Sequence, residues 1–174
     1  MFKEINILGA FFDEPTREFN VREVARTLKI APATASKELS RFVGMGLLKK
    51  RDERNFKLYK ADLDSDAYRD LKTYYNIRRI RESGLLEQLN RFYLKPAVVL
   101  FGSAAYGLDN ETSDFDILVI SEKTKRFTAI KQYEKTLKRN IQILAIEDIK
   151  NLKNKHLINN VLNGIILQGE IKWI

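Results

Sequence analysis

The chain has 174 residues, of which 44% are hydrophobic and 10% aromatic, enough for one ordinary domain or two small ones with real cores. It has no cysteine and one histidine, which excludes disulfides, thiolate chemistry and a histidine metal cluster. The formal charge of +8 favours nucleic acid, nucleotides or an acidic partner, and a solvated lysine-rich surface is the competing interpretation. No apolar run reaches the roughly 18 residues that a membrane helix needs, and the N-terminus lacks a signal-peptide pattern. We therefore expect a cytoplasmic protein with no membrane association.

The first part of the chain predicts three helices followed by a hairpin. Apolar side chains recur at helical spacing over residues 2–12, 21–28 and 32–43. Two glycines then end the third helix, and two strand-like runs flank a charged tip at residues 52–55. Three helices followed by a basic hairpin are typical of a winged helix-turn-helix, which we assign to residues 1–64.

The rest of the chain predicts a helical connector and then a sheet. Residues 65–95 carry apolar side chains near helical period, with Gly84 as a candidate break. Residues 96–174 alternate between strands at 97–102, 114–120 and 140–146 and helices at 103–108, 126–138 and 147–168. This order implies an α+β fold with α/β-like layers, in which helices flank a small mixed sheet on one side.

The most informative pattern is a Gly-Ser pair followed ten residues later by Asp-Phe-Asp, each attached to an apolar strand. Gly102 has no side chain, so a phosphate can approach its backbone closely. Ser103 adds a hydroxyl at a helix start, where anions are favoured. Asp114 and Asp116 alternate on a strand, so both carboxylates point to one face and suit Mg²⁺ bound to phosphates. The plainer interpretation is an ordinary turn and two strand-edge charges.

Residues 97–120 closely resemble the signature of the DNA polymerase beta-type nucleotidyltransferase superfamily, and its minimal nucleotidyltransferases in particular. The resemblance implies transfer of a nucleoside monophosphate from ATP or another NTP, with Mg²⁺ or Mn²⁺, to a hydroxyl of a protein or nucleic acid. It implies that Gly102 and Ser103 hold the triphosphate and that Asp114 and Asp116 are the metal-binding, catalytic residues. The antitoxin-like members further imply a small helical, toxin-like protein partner.

Two departures from this pattern leave catalysis open. The family usually supplies a third carboxylate from the next core strand, where this chain has Gln142, a residue with neither negative charge nor useful basicity. Tyr106 stands where family members often have arginine. The alternative is therefore a weak or inactive enzyme: a DNA-binding regulator or antitoxin that uses the fold to bind a nucleotide or a partner.

Residues 1–63 resemble the winged-helix class of prokaryotic regulators, which implies that the third helix enters the major groove of duplex DNA and the wing contacts phosphates or the minor groove. The candidate DNA contacts are Thr34, Ser36, Lys37 and Arg41 on the helix and Lys49, Lys50, Arg51, Arg54 and Lys57 on the wing. The alternative is a module for dimerisation or partner docking. We expect a homodimer, because two-fold DNA sites match two-fold proteins.

Overall fold

The computed structural model describes residues 2–54 and 56–172, with side chains from residue 6 onward. The chain divides into two units, Met1–Tyr75 and Asn76–Ile174. The helices are α1 Phe2–Asp13, α2 Val21–Leu28, α3 Pro32–Gly44, α4 Asp66–Glu82, α5 Leu85–Tyr93, α6 Ile130–Leu137 and α7 Lys155–Leu162. The strands are β1 Phe19–Asn20, β2 Leu48–Glu53, β3 Phe56–Ala61, β4 Ala97–Phe101, β5 Phe115–Ile120, β6 Ile141–Ile146 and β7 Ile165–Gln168. Two 3₁₀ turns occupy Ser103–Tyr106 and Ile149–Asn151.

The N-terminal unit packs its helices against a three-stranded antiparallel sheet with strand order β1-β3-β2. The side chain of Asn20 accepts a hydrogen bond from the Glu23 amide and so caps α2 at its start. Leu8 of α1 and Leu39 of α3 are fully buried in one hydrophobic cluster with Tyr59 of β3. The three predicted helices and the hairpin are all present, and they share this single core.

The hairpin is longer than the sequence predicts. Asp52 and Glu53, expected in the charged tip, are the last two residues of β2. Asp52 lies opposite Lys57 in the antiparallel register. The turn itself begins at Arg54, whose φ of 52° is left-handed. The prediction placed the tip by charge alone, but charged residues also fit a strand that faces water on both sides.

The C-terminal unit contains a four-stranded mixed sheet with strand order β6-β5-β4-β7. β5 is parallel to β6, while β4 is antiparallel to both β5 and β7. The α+β fold class is therefore confirmed. β4 and β5 are antiparallel neighbours in the middle of the sheet. The segment that leaves the end of β4 therefore lies beside the segment that enters the start of β5.

Helices cover both faces of this sheet, whereas the sequence predicted them on one side. Alternate residues of β5 belong to different clusters: Ile117 packs with α5, and Leu118 packs with Val161 of α7. The short strands are apolar on both sides, which demands cover on each face. The sequence prediction overlooked this because continuous apolar runs carry no period-2 signal.

The predicted helix over residues 147–168 is wrong. It is replaced by a 3₁₀ turn, by α7 and by the edge strand β7, which pairs with β4. Gly164 separates α7 from β7, and a Cβ there would lie only 2.6 Å from the carbonyl oxygen of Leu100. This close backbone approach and the β-branched Ile165-Ile166 pair favour a strand. The predicted helix over residues 126–138 is also too long, since α6 begins at Ile130.

The predicted connector of residues 65–95 forms α4 and α5, which Gly84 separates with a φ of 78°. The division between the two compact units falls inside α4, between Tyr75 and Asn76. The domain limits at residues 64 and 95 stay predictions. None of the described helices combines the length and apolar character that crossing a bilayer requires.

Candidate functional site

The Gly-Ser turn follows the end of β4 and approaches Asp116 closely. Gly102 has φ 70° and ψ −160°, a backbone conformation that is essentially restricted to glycine. A Cβ at this position would lie 2.5 Å from Oδ2 of Asp116, so the carboxylate occupies the space that any side chain would need. Ser103 then starts the 3₁₀ turn, and its carbonyl accepts the amides of Gly107 and Leu108. The turn is therefore packed against Asp116 at Gly102 and held by backbone hydrogen bonds beyond it.

The acidic pair lies at the start of β5. Asp114 immediately precedes the strand, and Asp116 lies within it, opposite Phe101 of β4. Phe115, between them, is buried in the core on the other face, and its amide donates to the carbonyl of Asn140 at 2.9 Å. Strand alternation therefore puts both carboxylates on one face, and the approach of Asp116 to Gly102 brings the two halves of the motif together.

Gln142 lies beside this pair. It occupies the position of the parallel neighbour β6 that is opposite Asp116, and its Nε2 donates to Oδ2 of Asp114. Gln142 thus donates a hydrogen bond to the acidic pair and adds no negative charge. It also holds one oxygen of Asp114 in a fixed position.

Burial, followed by the negative charge of Asp114, raises the pKa of Asp116 above its ordinary value. Two carboxylates that face each other in a partly dry site repel, and a cation between them relieves that repulsion. The pair is therefore electrostatically suited to a divalent metal.

We expect the Asp116→Asn variant to be more stable than the wild type at pH 7 in EDTA. The folded protein holds the proton of Asp116 more tightly than the unfolded chain, so this contribution to stability is present at low pH and lost as pH rises through the raised pKa. After solvent screening the gain is below about 1 kcal/mol, or at most about 2–4 °C in Tm.

Thermal unfolding measured across pH tests this, and the difference from the wild type should vanish below the ordinary pKa of an aspartate. Asp64→Asn is the control of opposite sign. A hydrogen bond from Lys49 lowers the pKa of Asp64, so that contribution is present at neutral pH and its removal should lower Tm. A lower Tm for both variants would contradict the expectation.

The donor set fits Mg²⁺ that is also held by phosphates. Mg²⁺ binds through one or two carboxylates and completes its shell with water and substrate oxygens. Within residues 2–54 and 56–172, no group of three or more His, Cys, Asp or Glu side chains could hold a metal by itself. Two carboxylates next to a glycine turn therefore match a metal that arrives with a triphosphate.

Two further polar side chains of the C-terminal unit have structural contacts. The hydroxyl of Tyr106 donates to the carbonyl of Asn163 at 3.1 Å and so links the 3₁₀ turn to the end of α7. The ammonium of Lys123, one of the cations that follow β5, donates to the carbonyl of Phe92 at 2.6 Å and lies over the ring of that residue. Tyr106 therefore supplies a tether where family members often have a positive charge.

Sequence reasoning missed a buried polar cluster behind the site, formed by Asn76, Asp109 and Arg139. The three residues lie up to 63 positions apart in the chain, and each is an ordinary polar residue in its local pattern. No signal in the sequence could have found them, because only the fold brings them together.

In the N-terminal unit, the candidate DNA contacts differ in their surroundings. Thr34 and Lys37 are exposed on α3 and Ser36 is half-buried. Four of the predicted cations already have carboxylate partners: Arg41 pairs with Glu38, Lys49 with Asp62 and Asp64, Lys50 with Asp52, and Arg51 with Glu18 and Glu53. Arg54 and Lys57 are exposed, and neither forms an ion pair within the described part of the chain. Among the predicted contacts on the β2–β3 hairpin, the two cations without an ion pair to any described residue therefore lie near its turn.

Residues 82–167 match the family model described as a nucleotidyltransferase domain, which is just under half of the chain. This match supports both a nucleotidyltransferase domain in the C-terminal unit and a general nucleotidyl-transfer function. Gly102, Ser103, Asp114, Asp116 and Gln142 all lie within the matched range.

No curated protein matches the chain. One similar solved structure is that of a "possible transcriptional regulator" from Methanosarcina mazei Go1. It is 15% identical, covers 53% of this chain and 75% of its own, and has a TM-score of 0.36. A likeness at this level carries no argument about what the chain does.

Proposed function

We propose that the C-terminal unit transfers a nucleoside monophosphate from ATP, in the presence of Mg²⁺ or Mn²⁺, to a hydroxyl of a protein or nucleic acid. The observation that carries this proposal is the close approach of the Asp116 carboxylate to Gly102. It brings a two-carboxylate metal site next to a turn that carries no side chain at Gly102.

The residues act in the following way in this proposal. The backbone of the Gly102-Ser103 turn would contact the β- and γ-phosphates, and the Ser103 hydroxyl would donate to them. Asp114 and Asp116 hold the metal, which would neutralise charge on the triphosphate and align the leaving pyrophosphate. The acceptor oxygen forms a bond to the α-phosphorus, the bond between the α-phosphorus and the bridging oxygen breaks, and the acceptor proton passes to water. Because Gln142 is no base, we expect turnover to be slow.

Intact-mass measurement tests the transfer. The protein is incubated with ATP and Mg²⁺, alone and with candidate partners, and an AMP adduct is sought on either component. We expect adduct with the wild type and none with the Asp114→Asn/Asp116→Asn variant, because the variant keeps the side-chain shapes and loses both metal ligands. Adduct in both proteins, or in neither, would remove the metal-dependent transferase proposal.

A second candidate function is nucleotide binding without turnover, in a DNA-binding regulator or antitoxin. The contact between Gln142 and Asp114 supports it, since an amide replaces the residue from which a third negative charge is expected. In that case the wild type shows no adduct, yet its Tm rises with ATP and Mn²⁺. The Asp114→Asn/Asp116→Asn variant shows no such rise.

We also propose that the N-terminal unit binds duplex DNA through the exposed start of α3 and the wing tip. The exposed cations Lys37, Arg54 and Lys57 support this, because they need not break an ion pair to meet a phosphate. The paired cations of the wing strands are available only at the modest cost of opening exposed ion pairs, which are worth about 0–1 kcal/mol each.

Binding to duplex DNA at several salt concentrations tests this second proposal. We expect Lys37→Glu/Arg54→Glu/Lys57→Glu to weaken binding at low salt by at least about a hundredfold and to reduce the salt slope by roughly 3. The matched control reverses three exposed lysines of the other unit, Lys135, Lys150 and Lys153, and so makes the same change in net charge. Equal losses in both variants would indicate attraction by net charge alone, and no duplex binding by the wild type would defeat the proposal.

From the family resemblances alone, we propose a small helical, toxin-like protein as an acceptor and a homodimer as the assembly. Light scattering on the purified chain measures the second directly, and a monomeric mass would contradict it.

A further inference from the structure

Three polar side chains are buried together in the C-terminal unit. Asn76 is 2% exposed, Asp109 3% and Arg139 8%. Burying an amide or a charged group costs free energy unless its partners replace water completely. A buried cluster of this kind therefore lowers the free energy of unfolding relative to an apolar set of similar volume.

The amide of Asn76 joins the two halves of the site. Its Nδ2 donates to Oδ1 of Asp109 at 2.9 Å and to the carbonyl of Ala104 at 3.1 Å. Ala104 belongs to the 3₁₀ turn that follows Gly102, and Asp109 lies in the loop that leads to Asp114. One side chain therefore fixes the segment after the glycine relative to the segment before the acidic pair.

Arg139 extends the cluster to the acidic pair itself. Its guanidinium lies 3.7 Å from Oδ2 of Asp109. The next residue, Asn140, accepts the amide of Phe115 at 2.9 Å, and Phe115 stands between Asp114 and Asp116. A displacement of Arg139 would therefore pass through one peptide unit to the backbone that carries both carboxylates.

We infer that Asn76, Asp109 and Arg139 are positioning residues that set the affinity of the site for a divalent cation with its nucleotide. This inference rests on the proposed function. None of the three touches the metal or the triphosphate in our assignment. They act by holding the Gly102 turn and the acidic pair in register, because the affinity of a metal site depends on the shell that orients its ligands.

Mn²⁺ binding to the full chain, measured by electron paramagnetic resonance with a non-hydrolysable ATP analogue, tests this role without relying on turnover. The variant is Asn76→Ala. The matched control is Gln168→Ala, because Nε2 of Gln168 also donates to one side-chain oxygen and one carbonyl, those of Asn90 and Pro96, both at 3.1 Å. Gln168 of β7 lies opposite Val98, near the beginning of β4. The candidate site lies at the other end of β4.

We expect both variants to lower Tm, but only Asn76→Ala to weaken Mn²⁺ binding per folded molecule, by about tenfold or more. Unchanged Mn²⁺ affinity in Asn76→Ala would overturn the inference, and so would an equal loss in the control. A wild type that binds no Mn²⁺ at all is a different result, which removes the proposed function and this inference with it.

If circular dichroism shows that Asn76→Ala does not fold, Asp109→Asn decides the question. This variant keeps an oxygen that can accept from Asn76 and removes only the charge that faces Arg139. Weaker Mn²⁺ binding in Asp109→Asn supports the positioning role, and unchanged binding overturns it.

Discussion

Replacing Gln142 by glutamate should make the stability of the protein depend on metal. Oε2 of the new carboxylate would replace the Nε2 that now donates to Asp114, and three negative charges would then face one another. In EDTA we expect the loss of this hydrogen bond and the new repulsion to cost roughly 1 kcal/mol, or about 2–4 °C in Tm. Added Mn²⁺ should recover that loss and raise Tm above that of the metal-bound wild type.

The same variant should bind Mn²⁺ about tenfold more tightly, which corresponds to about 1.4 kcal/mol, because affinity for hard cations rises with the number of charged ligands. If the domain catalyses transfer, the added carboxylate also supplies a general base and should raise the rate by about 10²–10⁴. Isothermal titration of Mn²⁺ and the intact-mass assay measure the two effects.

Gln132→Glu is the matched control, because Gln132 is exposed on α6 and gains the same charge. Its Tm in EDTA and its Mn²⁺ affinity should match those of the wild type. A Gln142→Glu protein whose Tm is indifferent to EDTA and Mn²⁺ would show that position 142 is not part of a cation site.

Replacing Gly102 by alanine should abolish binding of the metal with its nucleotide. The new Cβ would lie 2.5 Å from Oδ2 of Asp116, so the carboxylate must move, and the backbone conformation is one that only glycine adopts readily. We expect Mn²⁺·nucleotide affinity to fall by at least about a hundredfold, since an ångström-scale displacement in a site has effects of that order. The strained backbone should also lower the free energy of unfolding by about 1–3 kcal/mol.

Gly84→Ala separates the two effects. Gly84 also has a positive φ, 78°, but no atom lies within 4 Å of a Cβ built there. This variant should lose about 1–2 kcal/mol of stability and keep its Mn²⁺ affinity. If Gly102→Ala binds Mn²⁺ and the nucleotide analogue as Gly84→Ala does, the turn is not part of the nucleotide site.

The core of the site could be predicted because its signals are local. Gly102 and Ser103 directly follow one apolar strand, and Asp114 and Asp116 alternate at the start of the next. Antiparallel pairing of two strands that are close in sequence brings the end of the first to the start of the second. The spacing therefore predicts that the two halves of the motif meet.

The errors lie where distant contacts decided the local structure. Residues 165–167 are apolar and continue a helical pattern, yet residues 165–168 form β7 because β4 has an unpaired edge and Gly164 allows the chain to reach it. The same is true of Asp52 and Glu53, which belong to β2 because β3 lies opposite them. Pairing of backbone hydrogen-bonding groups outweighs propensity in both cases.

By itself the sequence determined the order of most elements, the absence of cysteine chemistry and the chemical character of a glycine turn followed by two carboxylates, because these depend on residue type and short spacing. Only the tertiary structure decided that Asp116 packs against Gly102, that Gln142 donates to Asp114 and that Asn76 joins Ala104 to Asp109. These contacts join residues that are 14 to 33 positions apart in the chain. Their geometry follows from how the strands and helices pack as a whole, which no local pattern of residues encodes.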